Sequence, residues 1–456
     1  MSRLGHVTTT VVPRSLGRQV PRTILADFDH LVDERYLIPH YQPVFDLASG
    51  EQIGVEALAR WPALRITPDE AFRWATEEGR LAELDEACRN AAIGTVLAQN
   101  FPTRVQLFVN LEPSVLGPDT ASRLLDQAGD RIGLVVEITE RALMDRPAEL
   151  LLAVHQLREA GCLIALDDVG SVPHSLAMLP FIAPDVIKLD ISLIHRWPDV
   201  ARAEIYTSVA AYAERTGAVV LAEGIETETH LRRARALGAT LGQGWYLGWP
   251  GPLGTLAPPS RALGVHRRVD TVPTDPFRLV DPATARVGTT DMLFGISRQL
   301  EHQGLTLETP PVVLAAMQHV RSLGPATTGR YVRLGQRCPM VVVLGEGMPA
   351  SPGAHVRGMP LDRGDPLRRR WVVAVVGTHY AGALIARDLG DTGGPDGARR
   401  FAFILTHRFD VVVAAAQSLL IRVTQPGAFP TLSTPSHRQR DRDGQDLRMW
   451  TREGAA

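Results

Sequence analysis

Lysine is almost missing from this chain. Of its 48 basic residues 47 are arginine, and the one lysine is Lys188, although lysine is normally among the commonest residues. Cysteine is nearly as scarce. Cys88, Cys162 and Cys338 are odd in number, far apart and in no C-x-x-C spacing, which argues against a disulfide framework or a structural zinc site and suits a reducing compartment. No stretch approaches the roughly eighteen consecutive apolar residues of a membrane span. The first twenty-two residues carry Arg3, Arg14, Arg18 and Arg22 without a continuous apolar segment, so no signal peptide is read and the expected location is the cytoplasm. An excess of charge is lacking too: 48 basic against 50 acidic side chains leave a net charge of −2, which points to neither a nucleic acid polymer nor an anionic membrane as partner.

What is present suits a globular chain, with 45% hydrophobic and 21% charged residues, enough to bury a large core. Pro and Gly together number 73 of 456 residues, which favours many turns. Residues 1–24 form a polar, proline-punctuated lead and 423–456 a charged tail rich in Pro, Ser and Gly, both expected to be disordered. Between about Pro250 and Pro276 the apolar periodicity lapses, which reads as a linker over 258–285 between a domain at 25–257 and a smaller one at 286–422.

In the first domain, short apolar runs alternate with stretches of helical period. The runs are 105–111, 133–139, 162–168, 185–190 and 218–224, and the helical stretches include 68–78, 83–98, 146–160 and 227–237. Alternation of this kind implies βαβ units and a largely parallel sheet. About 230 residues with seven or eight strand-like runs favour a closed (β/α) barrel, and the absence of any G-x-G-x-x-G or Walker loop weighs against an open nucleotide-binding sheet.

The runs end in polar residues: Asn110, Glu137, Asp167 with Asp168, Lys188 and Glu223, joined by Glu56 in IGVEALARW and Gln243 in GQGW. In a barrel the strand C-termini converge on one rim. Five carboxylates at one mouth repel one another unless cations neutralise them. Ligands drawn from Glu, Asp and Asn, with no Cys or His, suit Mg²⁺ or Mn²⁺ better than zinc. A single acidic residue after a strand is most often a helix N-cap, and the weight lies in the set. His155 and His195 read as structural or solvated, and Trp245, Tyr246 and Trp249 as core or rim packing or a surface on which guanine could stack.

In order and spacing the series resembles the EAL family of cyclic di-GMP phosphodiesterases. The matching segments are YQPVFD (41–46), EALARW (56–61), FVNLEP (108–113), VEITE (136–140), LDD-G (166–170), IKLD (187–190), AEGIET (222–227) and GQG (242–244). The resemblance implies a modified TIM barrel, usually dimeric, that hydrolyses cyclic di-GMP to linear pGpG with two Mg²⁺ or Mn²⁺ ions. It implies Glu56, Asn110, Glu137 and Asp167 as ligands of one metal, with Asp167 and Asp168 reaching the second. Glu223 is then a base or a ligand-orienting carboxylate, Lys188 holds the attacking water or the phosphate, and Gln42, Arg60 and Gln243 contact substrate. Glu140 braces the loop after the fifth strand.

Two segments depart from the family pattern. Where active members usually read close to DDFGTGYSSL this chain reads DDVGSVPHSL (167–176), and the usual GQGYLFGRP becomes GQGWYLGWP (242–250). Val172 and Pro173 restrict the backbone of the first. A slow or tightly regulated phosphodiesterase is the expectation, with a non-hydrolysing cyclic di-GMP receptor as the alternative.

Residues 286–422 read as a small α/β or α+β domain. Helices are expected over 291–303, 310–323, 380–388 and 408–421, with strands at 340–345, 371–377 and 401–406. The region resembles the DICT sensory domain in ISRQLE (296–301), Gly347 after the VVVLG run, HYAGALIARDL (379–389) and RFAFILTHRFDVVVAAAQSLL (400–420). It carries no metal or nucleophile constellation, so a regulatory role and an unknown signal or protein partner are expected. Near-total use of arginine reads as coding bias, and under that bias the one lysine falls on the family's active-site position with a chance of roughly one in fifty.

Overall fold

The structure is a computed structural model that describes residues 27–99, 104–112, 120–139, 144, 146–170, 175–196, 199–253, 263, 274–390 and 399–424. The expected disordered lead and most of the expected tail and linker lie outside these residues, as do Glu140 and Ser171 to His174. Eight strands close into a barrel in the order β1 to β8: β1 (Ile38–Asp46), β2 (Gln52–Arg60), β3 (Val105–Asn110), β4 (Ile132–Thr139), β5 (Leu163–Val169), β6 (Val186–Leu189), β7 (Val219–Ala222) and β8 (Leu241–Gly242). From β2 to β8 every pairing is parallel, whereas β1 runs antiparallel to both β2 and β8. The reason is local: β1 and β2 are joined by a tight turn in which Asp46 Oδ1 accepts from the amides of Ala48 and Ser49 and Gly50 takes a φ of 73°. A turn that short forces a hairpin, while each later connection is long enough for a crossover.

The helices are α1 (Asp29–Val32), α2 (Pro68–Glu77), α3 (Leu81–Ala98), α4 (Thr120–Ala128), α5 (Pro147–Ala160), α6 (Leu179–Ile182), α7 (Ile191–His195), α8 (Val200–Thr216) and α9 (Glu228–Ala236). Their starts are written in the sequence. Thr67 and Glu70 form a reciprocal capping box ahead of α2, Asp199 caps α8 and Thr227 caps α9. The barrel interior is plugged by one apolar side chain per strand: Val44, Ile53, Phe108, Val135, Ala165, Val186, Leu221 and Leu241, each no more than 3% exposed.

The second domain is a seven-stranded sheet in the order β12-β11-β10-β13-β14-β15-β9. Its strands are β9 (Arg286–Thr289), β10 (Val312–His319), β11 (Val341–Glu346), β12 (Arg357–Pro360), β13 (Arg370–Val376), β14 (Ala381–Asp388) and β15 (Arg400–Thr406). Helices α10 (Thr290–Thr306), α11 (Pro325–Arg337) and α12 (Phe409–Leu420) cover it. Two of the expected helices are strands. Residues 310–323 hold β10, an interior strand, buried from Val312 to Met317, and residues 380–388 hold β14, buried from Ala381 to Ala386. A short run that is apolar on both faces has no distinguishing period, and here pairing with two neighbours decided the outcome. Within the motif ISRQLE, Glu301 is buried and accepts from Ser297 Oγ, Tyr331 Oη and Arg330 Nε, which satisfies a carboxylate placed between α10 and α11. No helix among the described residues is long and apolar enough to cross a membrane.

The two domains share a packed face. Val412, Leu419 and Leu420 of α12 lie in the same apolar cluster as Leu150, Leu179 and Ile182 of the barrel. Gln417 Nε2 donates to the carbonyl of Phe181 at 2.8 Å, the Arg215 guanidinium sits 3.7 Å from the centre of the Phe409 ring, and Ser208 Oγ is 3.1 Å from His379 Nε2.

Candidate active site

Side chains alternate between the two faces of a strand, so residues two apart point the same way. Two positions beyond each plug residue, toward the rim, stand Asn110 after Phe108, Glu137 after Val135, Asp167 after Ala165, Lys188 after Val186, Glu223 after Leu221 and Gln243 after Leu241. On the reversed strand β1 the step runs backward, from Val44 to Gln42. On β2 the position below Glu56 is Gly54, where a Cβ would stand 2.7 Å from the Gln106 carbonyl and 3.2 Å from the Phe108 ring. Each of the eight strands therefore sends one polar residue into a ring directly above the apolar plug. The register pairs two of these neighbours directly, Gln42 with Glu56 and Asn110 with Glu137, while Lys188 pairs with the plug residue Leu221 because neighbouring strands of a closed barrel are staggered.

Lys188 is the centre of the ring. Its Nζ lies 2.7 Å from Glu137 Oε1, 2.8 Å from Glu223 Oε1, 3.1 Å from Asp167 Oδ1 and 3.4 Å from Glu56 Oε1, and the side chain is 1% exposed. Burial alone would lower its pKa, but the four carboxylates outweigh burial and hold it well above the ordinary ammonium range. One ammonium cannot balance four carboxylates. Burial and the neighbouring negative charge of Glu56 push the Glu137 carboxyl well up, and burial lifts Glu223 to about 8. Among the described residues Glu137 Oε2 has no hydrogen-bond donor, and Oε1 is met by the Lys188 ammonium at 2.7 Å.

Glu56 is held from its other side. Gln243 Nε2 donates to Glu56 Oε2 and, at 3.1 Å, to Gln42 Oε1, while Gln42 Nε2 donates to the Gly248 carbonyl at 3.1 Å. The backbone around Gln243 requires glycine: Gly244 has a φ of 149°, and a Cβ there would stand 2.2 Å from the amide nitrogen of Ile225. Asp167 and Asp168 sit where the pairing of β5 with β6 shifts register, and Asp168 adopts a left-handed φ of 57°. A non-glycine residue in that region costs about 1–3 kcal/mol and is commonest at functional sites. Oxygens of Asp167, Asp168 and Glu223 come within 4.8 Å of one another.

Beside the ring a cavity of about 400 Å³ opens between β2, β3 and α3, with Arg60, Asn110, Glu137 and Thr139 among its walls. Arg60 Nη1 donates to the carbonyl of Ala59 at 2.9 Å, and burial lowers its pKa. At the rim beside Gln42, Trp245 and Trp249 stack on each other with centroids 4.5 Å apart and planes 8° from parallel. Both indoles are half-exposed or more, which removes the core alternative of the expectation and leaves the rim, where they form an exposed aromatic pair.

Residues 26–250 match the EAL domain, and residues 278–389 match the sensory domain in diguanylate cyclases and two-component systems, DICT. The chain carries an EAL domain followed by a DICT domain. Cyclic di-GMP phosphodiesterase NbdA of Pseudomonas aeruginosa is 33% identical over 249 residues, which covers 49% of this chain and 31% of that protein. Probable cyclic di-GMP phosphodiesterase PdeB of Escherichia coli is 30% identical over 255 residues, 53% of this chain and 48% of that one. The chain thus spans between about a third and a half of the length of these relatives. Among solved structures, the manganese and cyclic di-GMP complex of Klebsiella pneumoniae BlrP1 is 28% identical, covering 47% of this chain and 56% of that chain with a TM-score of 0.42.

Within the EAL domain ten of the eleven residues singled out from sequence are described. Eight of them, one per strand, form the ring; Asp168 lies beside it, Arg60 walls the cavity, and Glu140 falls outside the described residues. Sequence reasoning missed that Gln243 reaches Glu56. The available signal was that β8 and β1, which carry Gln243 and Gln42, become neighbours once the barrel closes.

Proposed function

We propose that the EAL domain hydrolyses one phosphodiester bond of cyclic di-GMP to give linear pGpG, using two divalent cations held at the barrel mouth. The observation that carries this reading is the ring of four carboxylates around a single buried ammonium, with no donor to Glu137 Oε2 among the described residues. Such a set of oxygens fits hard divalent cations, Mg²⁺ or Mn²⁺. Glu56, Asn110, Glu137 and Asp167 would hold one ion, and Asp167 with Asp168 would reach the other. When bound, the ions supply a water of lowered pKa and stabilise charge on the phosphoryl oxygens.

The chain's own residues do the rest. Glu223, whose Oε1 is 2.8 Å from Lys188 Nζ, is placed to take a proton from the attacking water as it adds to phosphorus and to pass that proton to the ribose oxygen as its bond breaks. Lys188 Nζ, fixed by its neighbours, orients that water or a phosphate oxygen. Gln243 and Gln42 set the rotamer of Glu56, and Arg60 offers positive charge to the phosphate from the cavity wall. The exposed indoles of Trp245 and Trp249 suit the flat face of guanine.

Regulation by the DICT domain belongs to the same reading. Helix α12 hydrogen-bonds the carbonyl of Phe181, which lies on the segment that follows Asp167 and Asp168, so a signal that shifts α12 reaches the metal-binding carboxylates through α6. Homodimerisation through the barrel is also part of it, and sedimentation equilibrium measures it.

The test is to incubate the full chain with cyclic di-GMP and Mg²⁺ or Mn²⁺ and separate the nucleotides. Accumulation of pGpG supports the enzyme. Tight binding with no pGpG over hours replaces it with a receptor.

A further inference from the structure

A second cluster lies around the loop that follows β7, made of side chains that are not members of the carboxylate ring. His195 ends α7, while Glu226 and His230 flank Thr227, the residue that caps α9 through the amide of His230. The two imidazole rings face each other with centroids 4.1 Å apart and planes 30° from parallel. His195 Nε2 stands 3.8 Å from Glu226 Oε2 and 2.7 Å from the carbonyl oxygen of Gly224. The ligand-capable atoms of the three side chains all lie within 4.8 Å of one another. Two nitrogens and a carboxylate oxygen thus converge beside a main-chain carbonyl.

The frame that carries them is fixed. Arg233 Nη1 donates to the carbonyls of Ile194 and His195 at 3.1 and 3.2 Å, which ties α9 to α7. Gly224 takes a φ of 64°, and a Cβ there would stand 2.1 Å from Ile191 Cγ1, so its carbonyl is held at a position only glycine permits. His195 and Glu226 keep about a third of their side-chain surface exposed, which leaves a path for an ion.

We propose that His195, Glu226 and His230 form a transition-metal site of the zinc class, separate from the Mg²⁺ or Mn²⁺ site at the barrel mouth. The donor chemistry distinguishes the two. Imidazole with one carboxylate selects zinc and its neighbours, whereas the ring offers only oxygen donors to a metal. Bonds of about 2.0–2.2 Å place tetrahedral ligands about 3.3–3.5 Å apart, so the 3.8 Å between His195 and Glu226 needs to close by only a few tenths of an ångström. The ligating nitrogens must be unprotonated. On His195 this means that Nε2 gives up its hydrogen bond to Gly224 and the proton moves to Nδ1 through solvent. On His230 burial, and then the neighbouring His195, already favour the neutral ring.

The experiment uses the full chain saturated with Mg²⁺ and titrated with Zn²⁺, with bound metal counted after dialysis. Wild type should bind one more Zn²⁺ per chain than His195→Ala/His230→Ala, and Co²⁺ in place of Zn²⁺ should give the visible absorption of a tetrahedral imidazole-bound ion in wild type only. Glu56→Ala, which weakens the barrel-mouth site, should keep that extra equivalent. Equal Zn²⁺ stoichiometry in wild type and the double variant would overturn the proposal, and so would a Co²⁺ spectrum that survives loss of both histidines. The count does not depend on hydrolysis, so failure of the phosphodiesterase reading and failure of this site are separately visible.

Discussion

At the scale of single residues, Lys188 is buried with four carboxylate acceptors spaced around its ammonium. A compact ammonium meets them all, whereas a planar guanidinium with donors in fixed directions does not. Lys188→Arg keeps the charge and is expected to lower turnover at least about 100-fold, measured as pGpG released at saturating substrate; wild-type turnover would return the lone lysine to coincidence. Glu223 supplies a test of the electrostatics. Its carboxyl ionises near 8 in the metal-free fold because burial opposes the charge, against 4.5 ordinarily. Between those values the unfolded chain has released a proton that the fold retains, so this contribution to stability is full below 4.5 and falls until about 8. Glu137 acts in the same direction. The melting temperature of chelator-treated protein should therefore fall from about pH 5 to about pH 8, and added Mg²⁺ should recover more of it at the upper value. Equal recovery at both would mean that the carboxylates are not being relieved by the cation.

At the scale of elements, the barrel was legible because its strands stop at polar residues and its helices start at Thr67, Asp199 and Thr227. The polar ring was legible for the same reason, since one strand end after another carried a carboxylate, amide or ammonium. Its bracing was not: Gln243 meets Glu56 across 187 residues of chain, and only closure of the barrel brings them together. The His195, Glu226 and His230 cluster was hidden likewise, because two helices contribute to it and neither reads as a motif alone. In the second domain, β10 and β14 read as helices because residues buried on both faces carry no period. The corrected topology has its own consequence. Leu314, fully buried in the interior of the sheet, pairs with Val342 on one side and Ala374 on the other. Leu314→Ala should destabilise the second domain by about 2–5 kcal/mol, measured by denaturant unfolding; a loss under about 1 kcal/mol would contradict a buried interior strand there.

At the scale of the whole molecule, the barrel and the sheet domain are joined by α12 as well as by the chain between them. Phe409→Ala with Gln417→Ala removes the ring that lies under Arg215 and packs against the shared apolar cluster, together with the donor to Phe181. Its expected effect is a change in turnover of at least about threefold, with some loss of stability from the lost packing added to about 1 kcal/mol for each polar contact. An unchanged rate would argue that the packed face is structural only. The central claim, that the ring of carboxylates holds cations for phosphodiester hydrolysis, is reached most directly by reconstitution. Protein stripped with a chelator is given cyclic di-GMP, and pGpG is followed as Mn²⁺ or Mg²⁺ is added back, for wild type and for Glu56→Ala. The account predicts no product without metal, recovery with metal in wild type, and at least about a 100-fold deficit in Glu56→Ala at the same metal concentration. Hydrolysis that ignores the chelator, or a Glu56→Ala variant as fast as wild type, would contradict it.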